Sequence, residues 1–509
     1  MSDDGRSSSR AAHLWAMARV HASTAFVGGL VLVLTGFTPE HWVAYAFQAF
    51  HLPVGLFSRW PSSLDPRLIV VLLGIAIIVA DVLWRRHRTQ GAPQLQPADS
   101  TRAAVPRSGS PLALPDKPSI AVLPFTNLSG DSDQEYLAEG IVDDVITALC
   151  QVSSLFVVAR NSSFKFKGKN SDAREVGQQL GVRYLLEGSV RRSGDRLRVS
   201  AQLIDAADGS HVWAERFDRR FQEIFDIQDE LTKEIVTALR IRLTDGEQAS
   251  LWLRSTNNVE AWGYAMRGAD HIWRGTAADN AEACALLERA VACDPGYAKA
   301  TALIALTHYF DLRFNYTSPK AESGQKLAQF ASRALELDPE EPYAMLVRGF
   351  SDSVEGRFDA ALEGVNRAVA KSPNDAFGWL ALARILVNEE RPEEAEKAIR
   401  HAMRLNPFYP INYLAVLGDA LIHQGKAQEA LAAFKEIVSR QPNYVSAHLH
   451  LAGLYSSLGQ MDAACAAVAE VLRLDPKYRL AAAGSFYLSS NEERKRAFLE
   501  DLRRAGLPE

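Results

Sequence analysis

From residue 257 to the carboxyl end, apolar positions recur at the helical period and the pattern resets at regular intervals. Each reset falls on a proline. Pro295, Pro339, Pro373, Pro407, Pro442 and Pro476 follow Asp, Ser, Asn or Gln and recur about every 34 residues, with about ten extra before Pro339. Within the unit that closes on Pro407, the packing positions alternate large and small: Trp379, Leu382, Ala383, Ala395, Ile399 and Ala402. Small residues let two helices approach, and large ones fill the space between them. The pattern predicts about six helical hairpins over 257–509. A longer loop falls near Phe310–Lys320, and Tyr478–Leu488 with Glu492–Leu507 form a polar closing pair.

Over 118–245 the pattern mixes two periods. Ser119–Phe125 is an apolar run of strand length, and Gln134–Leu149 is helical through Tyr136, Leu137, Ile141, Val145, Ile146 and Leu149. Phe156–Arg160 returns as a second strand, so a parallel βαβ unit is expected. A short helix over 172–180 closes on Gly181. Tyr184–Val190, Leu197–Ile204 and His211–Phe217 are joined by Ser193-Gly194-Asp195 and Ala207-Asp208-Gly209, which predicts an antiparallel meander. Phe221–Leu243 reads as one long amphipathic helix.

The first hundred residues differ. A polar tail with Arg6, Arg10 and Arg19 precedes the apolar run Ala22–Phe37, and a second run, LIVVLLGIAIIVADVLW, covers Leu68–Trp84. A span needs roughly 20 residues. Three readings fit the first run: a span, a signal peptide with Ala44-Tyr45-Ala46 as cleavage site, or a buried helix. The second run has no polar face and reads as a span. Arg85, Arg86 and Arg88 follow it directly, and basic flanks favour the cytoplasmic side. Two spans are therefore expected, at about 20–38 and 67–84, with both chain ends inside. A Pro-rich linker follows at 85–117. The expected fold class is a membrane-anchored multidomain protein: two transmembrane helices, an α/β domain with a mixed sheet, then an all-α solenoid. The expected location is the inner membrane with the soluble domains cytoplasmic; the reversed orientation makes them periplasmic.

The 34-residue unit closing on proline is identified as a tetratricopeptide (TPR) repeat. The strings KPSIAVLPFTNLSGDSDQEYLAEGIVDDVITAL, VVARNSSFKFKGK, YLLEGSVRRSGDRLRVSAQLIDAADGSHVWAERFD and FDIQDELTKEIVTAL together resemble the TolB amino-terminal-like domain over about 117–245. That resemblance implies a module that precedes TPR repeats in bacterial proteins, often behind an adenylate cyclase or winged-helix domain. Here apolar runs stand where those domains would be.

Composition adds little pull toward any ligand. Among 509 residues the net charge is −5, so no general attraction to nucleic acid is expected. Cys150, Cys284, Cys293 and Cys465 form no C-x-x-C pair, and no metal is expected. Glu139, Asp143 and Asp144 share a helix, but adjacent carboxylates project about 100° apart, so a solvated face is favoured. Arg160 with Ser162 and Ser163 at a strand end could grip an anion; a structural turn is favoured. Arg191, Arg192, Arg196 and Arg198 surround a hairpin diluted by Glu187 and Asp195. No Ser/His/Asp set, H-E-x-x-H or phosphate loop appears, so no catalytic residue and no cofactor are expected. The first helix of each TPR lines the concave face. By register, the exposed groove positions are Tyr343, Phe350, Phe377, Arg384, Asp419 and His423, which would bind protein or peptide partners. The expected function is a non-enzymatic, membrane-anchored adaptor. The alternatives are a regulatory relative of adenylate cyclase-type signalling proteins and an envelope assembly protein facing the periplasm.

Overall fold

Strand β1, Ser119–Val122, is buried along its whole length because its two faces meet different cores. Ile120 and Val122 join one cluster, and Ala121 and Leu123 another. The computed structural model describes residues 112–169, 171–244, 247–248, 255–314, 316–317, 320–486 and 491–509. β1 lies inside a six-stranded sheet of order β3-β1-β4-β5-β6, with β2 also paired to β4. The other strands are β2 (Thr126–Asn127), β3 (Phe156–Val157), β4 (Tyr184–Ser193), β5 (Arg196–Asp205) and β6 (Ser210–Arg220). β1 runs parallel to both β3 and β4, and β4, β5 and β6 run antiparallel, so the sheet is mixed.

Helices α1 (Glu135–Cys150) and α4 (Ile224–Ala238) cover one face. α3 (Ala173–Leu180) covers the other, after the single turn α2 (Arg160–Ser163). Asp172 caps α3 by accepting from Arg174 N, and Gly181 ends it at φ 64°. α4 stops short of the amphipathic pattern that continues to Leu243. Arg240 takes φ 54°, and Ile241 N donates to Val236 O at 3.0 Å, which closes the helix in a Schellman turn.

The remaining helices pair as hairpins: α5 (Val259–Arg274) with α6 (Ala277–Cys293), α7 (Ala298–Phe314) with α8 (Lys320–Leu337), α9 (Pro342–Val354) with α10 (Phe358–Lys371), α11 (Ala376–Asn388) with α12 (Pro392–Leu405), α13 (Ile411–His423) with α14 (Ala427–Arg440), and α15 (Val445–Ser457) with α16 (Met461–Leu474). α17 (Leu480–Phe486) and α18 (Glu492–Arg504) follow. First helices such as α7, α11, α13 and α15 are buried on nearly every side, whereas second helices bury one stripe. Close approach within a hairpin depends on glycine. A Cβ at Gly418 would stand 2.5 Å from the Phe434 ring, and one at Gly349 would stand 2.6 Å from Val365.

The hairpin array is fastened to the α/β domain along one edge. The Trp262 ring of α5 lies over Gly140 of α1, where a Cβ would come within 2.6 Å of it. Trp262 Nε1 donates to Asp144 Oδ2 at 2.6 Å, and the buried Lys299 ammonium at the start of α7 stands 3.6 Å from Asp144 Oδ1. Burial alone would lower the Lys299 pKa, but Asp144 and then Asp143 outweigh it and raise it. Farther along, Asn374 Nδ2 donates to Val152 O at 2.8 Å, and Ala159 N donates to Leu405 O at 2.8 Å. Ser162 Oγ donates to Asn406 Oδ1 at 2.6 Å. Arg404 donates to the Gly181 and Ala113 carbonyls, both at 2.8 Å, with its guanidinium over the Phe156 ring.

The expected fold class requires correction. The described residues form a mixed α/β domain followed by an all-helical array, and no helix among them is long and apolar enough to cross a membrane. The stretches expected as spans, 20–38 and 67–84, and the linker up to residue 111 lie outside the described residues. The apolar helices that are described owe their hydrophobicity to neighbours in the array.

Gly140→Ala should lower stability by about 1–3 kcal/mol, because the added methyl overlaps Trp262. Gly324→Ala, at a helical position of α8 with open space around it, should be neutral or stabilising by up to about 1 kcal/mol. Urea midpoints of the two variants measure the contrast.

Candidate functional site

The first helices carry two adjoining sets of side chains. The aromatic set begins with Trp273 at the end of α5, whose ring meets Phe377 of α11 edge-on at 5.2 Å. Phe377 also meets Phe310 of α7 at 6.4 Å and Phe350 of α9 at 6.0 Å. Tyr309 stacks on Phe350 at 4.2 Å and 5°. The cluster opens toward solvent through Phe314, 43% exposed, which lies between Phe310 and Tyr316.

The ionic set starts on α11, the helix that also carries Phe377, and continues into α13 and α15. Arg384 Nη1 donates to Asp419 Oδ2 at 2.7 Å across 35 residues of sequence, and His450 Nε2 stands 3.2 Å from Asp419 Oδ1. Burial disfavours the Asp419 carboxylate, but the His450 ring and the Arg384 guanidinium outweigh it and hold its pKa far below the usual range. His450 also stacks on Phe434 at 4.5 Å. Arg313, Tyr444 and His423 join Arg384, Asp419 and His450 in lining a cavity of about 30 Å³, room for about one water. His423 lies 3.6 Å from Glu390, whose carboxylate meets Arg494 of α18 at 3.0 Å.

The structure divides the six expected groove residues. Phe350 and Phe377 lie in the aromatic set, and Arg384, Asp419 and His423 lie in or beside the ionic set. Tyr343 lies apart, at the seam, with Asp375, Asp143 and Cys150 near its hydroxyl. The expectation of exposure is corrected: Phe350 is 3% exposed and His423 8%, and the other four are half-buried. Neighbouring first helices, the closing helix and the α/β domain cover them, which a register within one repeat does not reveal. Trp273, Tyr309, Phe310, His450, Glu390 and Arg494 belong to the same face and were missed. The repeat spacing contained part of the signal, since Phe350, Arg384 and Asp419 fall at one position in successive units.

The candidates in the α/β domain are used internally. Arg160 pairs with Glu139 at 3.0 Å and with Asp143 and Asp270 at 3.5 Å. Asp143 and Asp144 diverge, one toward Arg160 and the other toward Trp262 and Lys299. Ser162 belongs to the seam. A mixed-charge cleft of about 550 Å³, lined by Tyr136, Glu139, Arg160, Arg267 and Asp270, opens between α1 and α5.

Asp419→Asn should cost stability at the lower end of ~3–5 kcal/mol, because it leaves Arg384 facing a neutral group in a half-buried site. Chemical denaturation at neutral pH measures it. Asp375 caps α11 through Phe377 N and Gly378 N, and burial raises its pKa from 3.8 to about 6. A raised acid adds stability below its unfolded pKa and loses it as pH rises through the folded one. Asp375→Asn keeps the cap and should flatten the stability curve between pH 3.8 and about 6, as urea midpoints across that range would show.

Residues 116–235 match the model of the HilA/YgeH-like transcriptional regulator second domain, and 354–410 and 421–484 match tetratricopeptide repeat models. A relative from Rhizobium meliloti (strain 1021) named putative adenylate cyclase 3 is 45% identical over 254 residues. That alignment covers 49% of this chain and 43% of the relative, so the chain spans less than half of the relative's length. Among solved structures, Pseudomonas aeruginosa PilF is 17% identical, with 44% of this chain and 96% of that one covered and a TM-score of 0.34. TolB from Acinetobacter baumannii is 21% identical, with 25% and 29% covered and a TM-score of 0.19. The chain thus carries a HilA-like domain followed by TPR repeats.

Proposed function

We propose that this chain is a non-catalytic adaptor that holds protein partners on the first-helix face of its repeats, with the α/β domain as a brace. The observation that carries this reading is the aromatic set that ends in exposed Phe314 beside the ionic set around Asp419. Aromatic anchors with a charged rim are what interfaces enrich. The α/β domain contacts the array at Trp262, Asp270, Lys299, Asn374 and the turn from Arg404 to Phe408, away from Phe314 and Asp419.

A second reading rests on the 45% identity to a protein named putative adenylate cyclase 3. In that reading the α/β–TPR unit is the regulatory part of a cyclase-type signalling protein, with the TolB-like resemblance of 118–245 marking the same module. The two readings share a non-catalytic role for the described residues.

Affinity capture with the full chain should retain proteins that a Phe314→Ser variant loses. Equal recovery by both would refute the first-helix face as the binding surface. Conversion of ATP to cyclic AMP by the purified full chain would overturn the non-catalytic role.

A further inference from the structure

We propose that β6, the open edge of the sheet, pairs antiparallel with β6 of a second copy of this chain about a two-fold axis at Phe217. β6 ends the strand order and pairs with β5 alone among the described residues. It spans Ser210–Arg220, whereas the opposite edge, β3, is only Phe156–Val157. A long edge leaves a row of unpaired backbone donors and acceptors, which proteins normally blunt with charged side chains, proline or a bulge. β6 has no proline, and its charges are of both signs, so they oppose a like-charged strand but suit one of complementary order. Its one irregularity lies opposite Leu203/Ile204, near the Trp213 end, so the register from Ala214 to Arg220 is unbroken.

The order of charges identifies the occupant. Glu215, Arg216, Phe217, Asp218 and Arg219 read acid, base, apolar, acid, base. Turned about Phe217, Glu215 faces Arg219 of the partner subunit and Arg216 faces Asp218 of the partner subunit. Symmetry repeats both pairs, and Trp213 falls opposite Phe221 of the partner subunit. Facing residues in an antiparallel pair share a sheet face, so the axis must pass through a residue. An axis at Glu215, Arg216 or Asp218 would set that charge against its own copy. Only the Phe217 register among these sets opposite charges at all four charged positions from Glu215 to Arg219.

Accessibility agrees with this register. Glu215 and Arg216 are exposed, and their side chains make no hydrogen bond or ion pair among the described residues. Asp218 is already met by Arg196 at 3.1 Å and Arg198 at 2.7 Å, and Arg219 by Glu230 at 3.3 Å. These contacts come from β5 and α4 of the same protomer. The resulting interface is isologous, the commonest symmetry of soluble oligomers.

Sedimentation equilibrium of the full chain should give a dimer mass. Glu215→Arg places arginine against Arg219, and Arg216→Glu places glutamate against Asp218. Each should raise the dimer Kd by roughly tenfold or more, with an unchanged far-ultraviolet circular dichroism spectrum. Glu215→Arg combined with Arg219→Glu restores opposite charges and should return Kd toward the starting value. A monomer throughout the concentration range, or a dimer that persists equally in both single variants, overturns the proposal.

Discussion

The Trp262 ring lying on Gly140 is the contact on which the architecture depends. It fixes α5, the first helix of the array, against α1, the helix that backs the sheet. A repeat array is otherwise held only by neighbour-to-neighbour packing. Once α5 is fixed, the α/β domain meets the array again at the start of α7, at the cap of α11 and at the end of α12. Lys299 meets Asp144, Asp375 lies near Cys150, and Leu405 receives the Ala159 amide. Polar groups taken out of water need partners, and at this seam the partners come from the other domain. The two domains therefore share one polar network instead of merely touching.

Much of the fold could be read from the chain because its signals are local. The prolines fixed the hairpin period, and glycines fixed the turns: Gly356, Gly425 and Gly459 sit at φ 73–77°, each followed by a bond back to the first helix. Glu390 occupies the same place in its turn at φ 56°, and no compositional rule would have marked it. Its carboxylate is held by Arg494 from the closing helix, a contact that spans more than one repeat. The long helix expected to Leu243 stops at Ala238 for a related reason. Leu239 and Ile241 pack on the core through a turn instead of continuing the helix, and hydrophobic period alone does not distinguish those outcomes.

The candidate site was partly readable for the same cause. Residues at one repeat position form a column, so Phe350, Arg384 and Asp419 could be aligned from spacing alone. What the column touches could not be read. Phe350 meets Tyr309 from the preceding hairpin, and Asp419 meets His450 from the following one. Burial is decided between repeats, so side chains expected in water are instead packed among aromatic rings or paired with charge. The carboxylates of α1 show the same limit. Asp143 and Asp144 looked like a solvated face, and Asp144 is instead an anchor for the solenoid.

The fastening has an end. The last of these seam contacts in chain order is the Phe408 amide on Ser162 Oγ, just before α13. Beyond it, α14–α16 are held by their neighbours and by the closing helix, where Phe498 covers Gly453 and Ser456 meets Asp501. Mechanically this is a cantilever: a clamped root running from α5 to the start of α13, and a free arm beyond it. Load applied to the arm concentrates bending at the root's edge, close to Arg384 and Asp419. A ligand that bridges the two sides of that edge would stiffen the arm, and one that binds only the arm would swing with it.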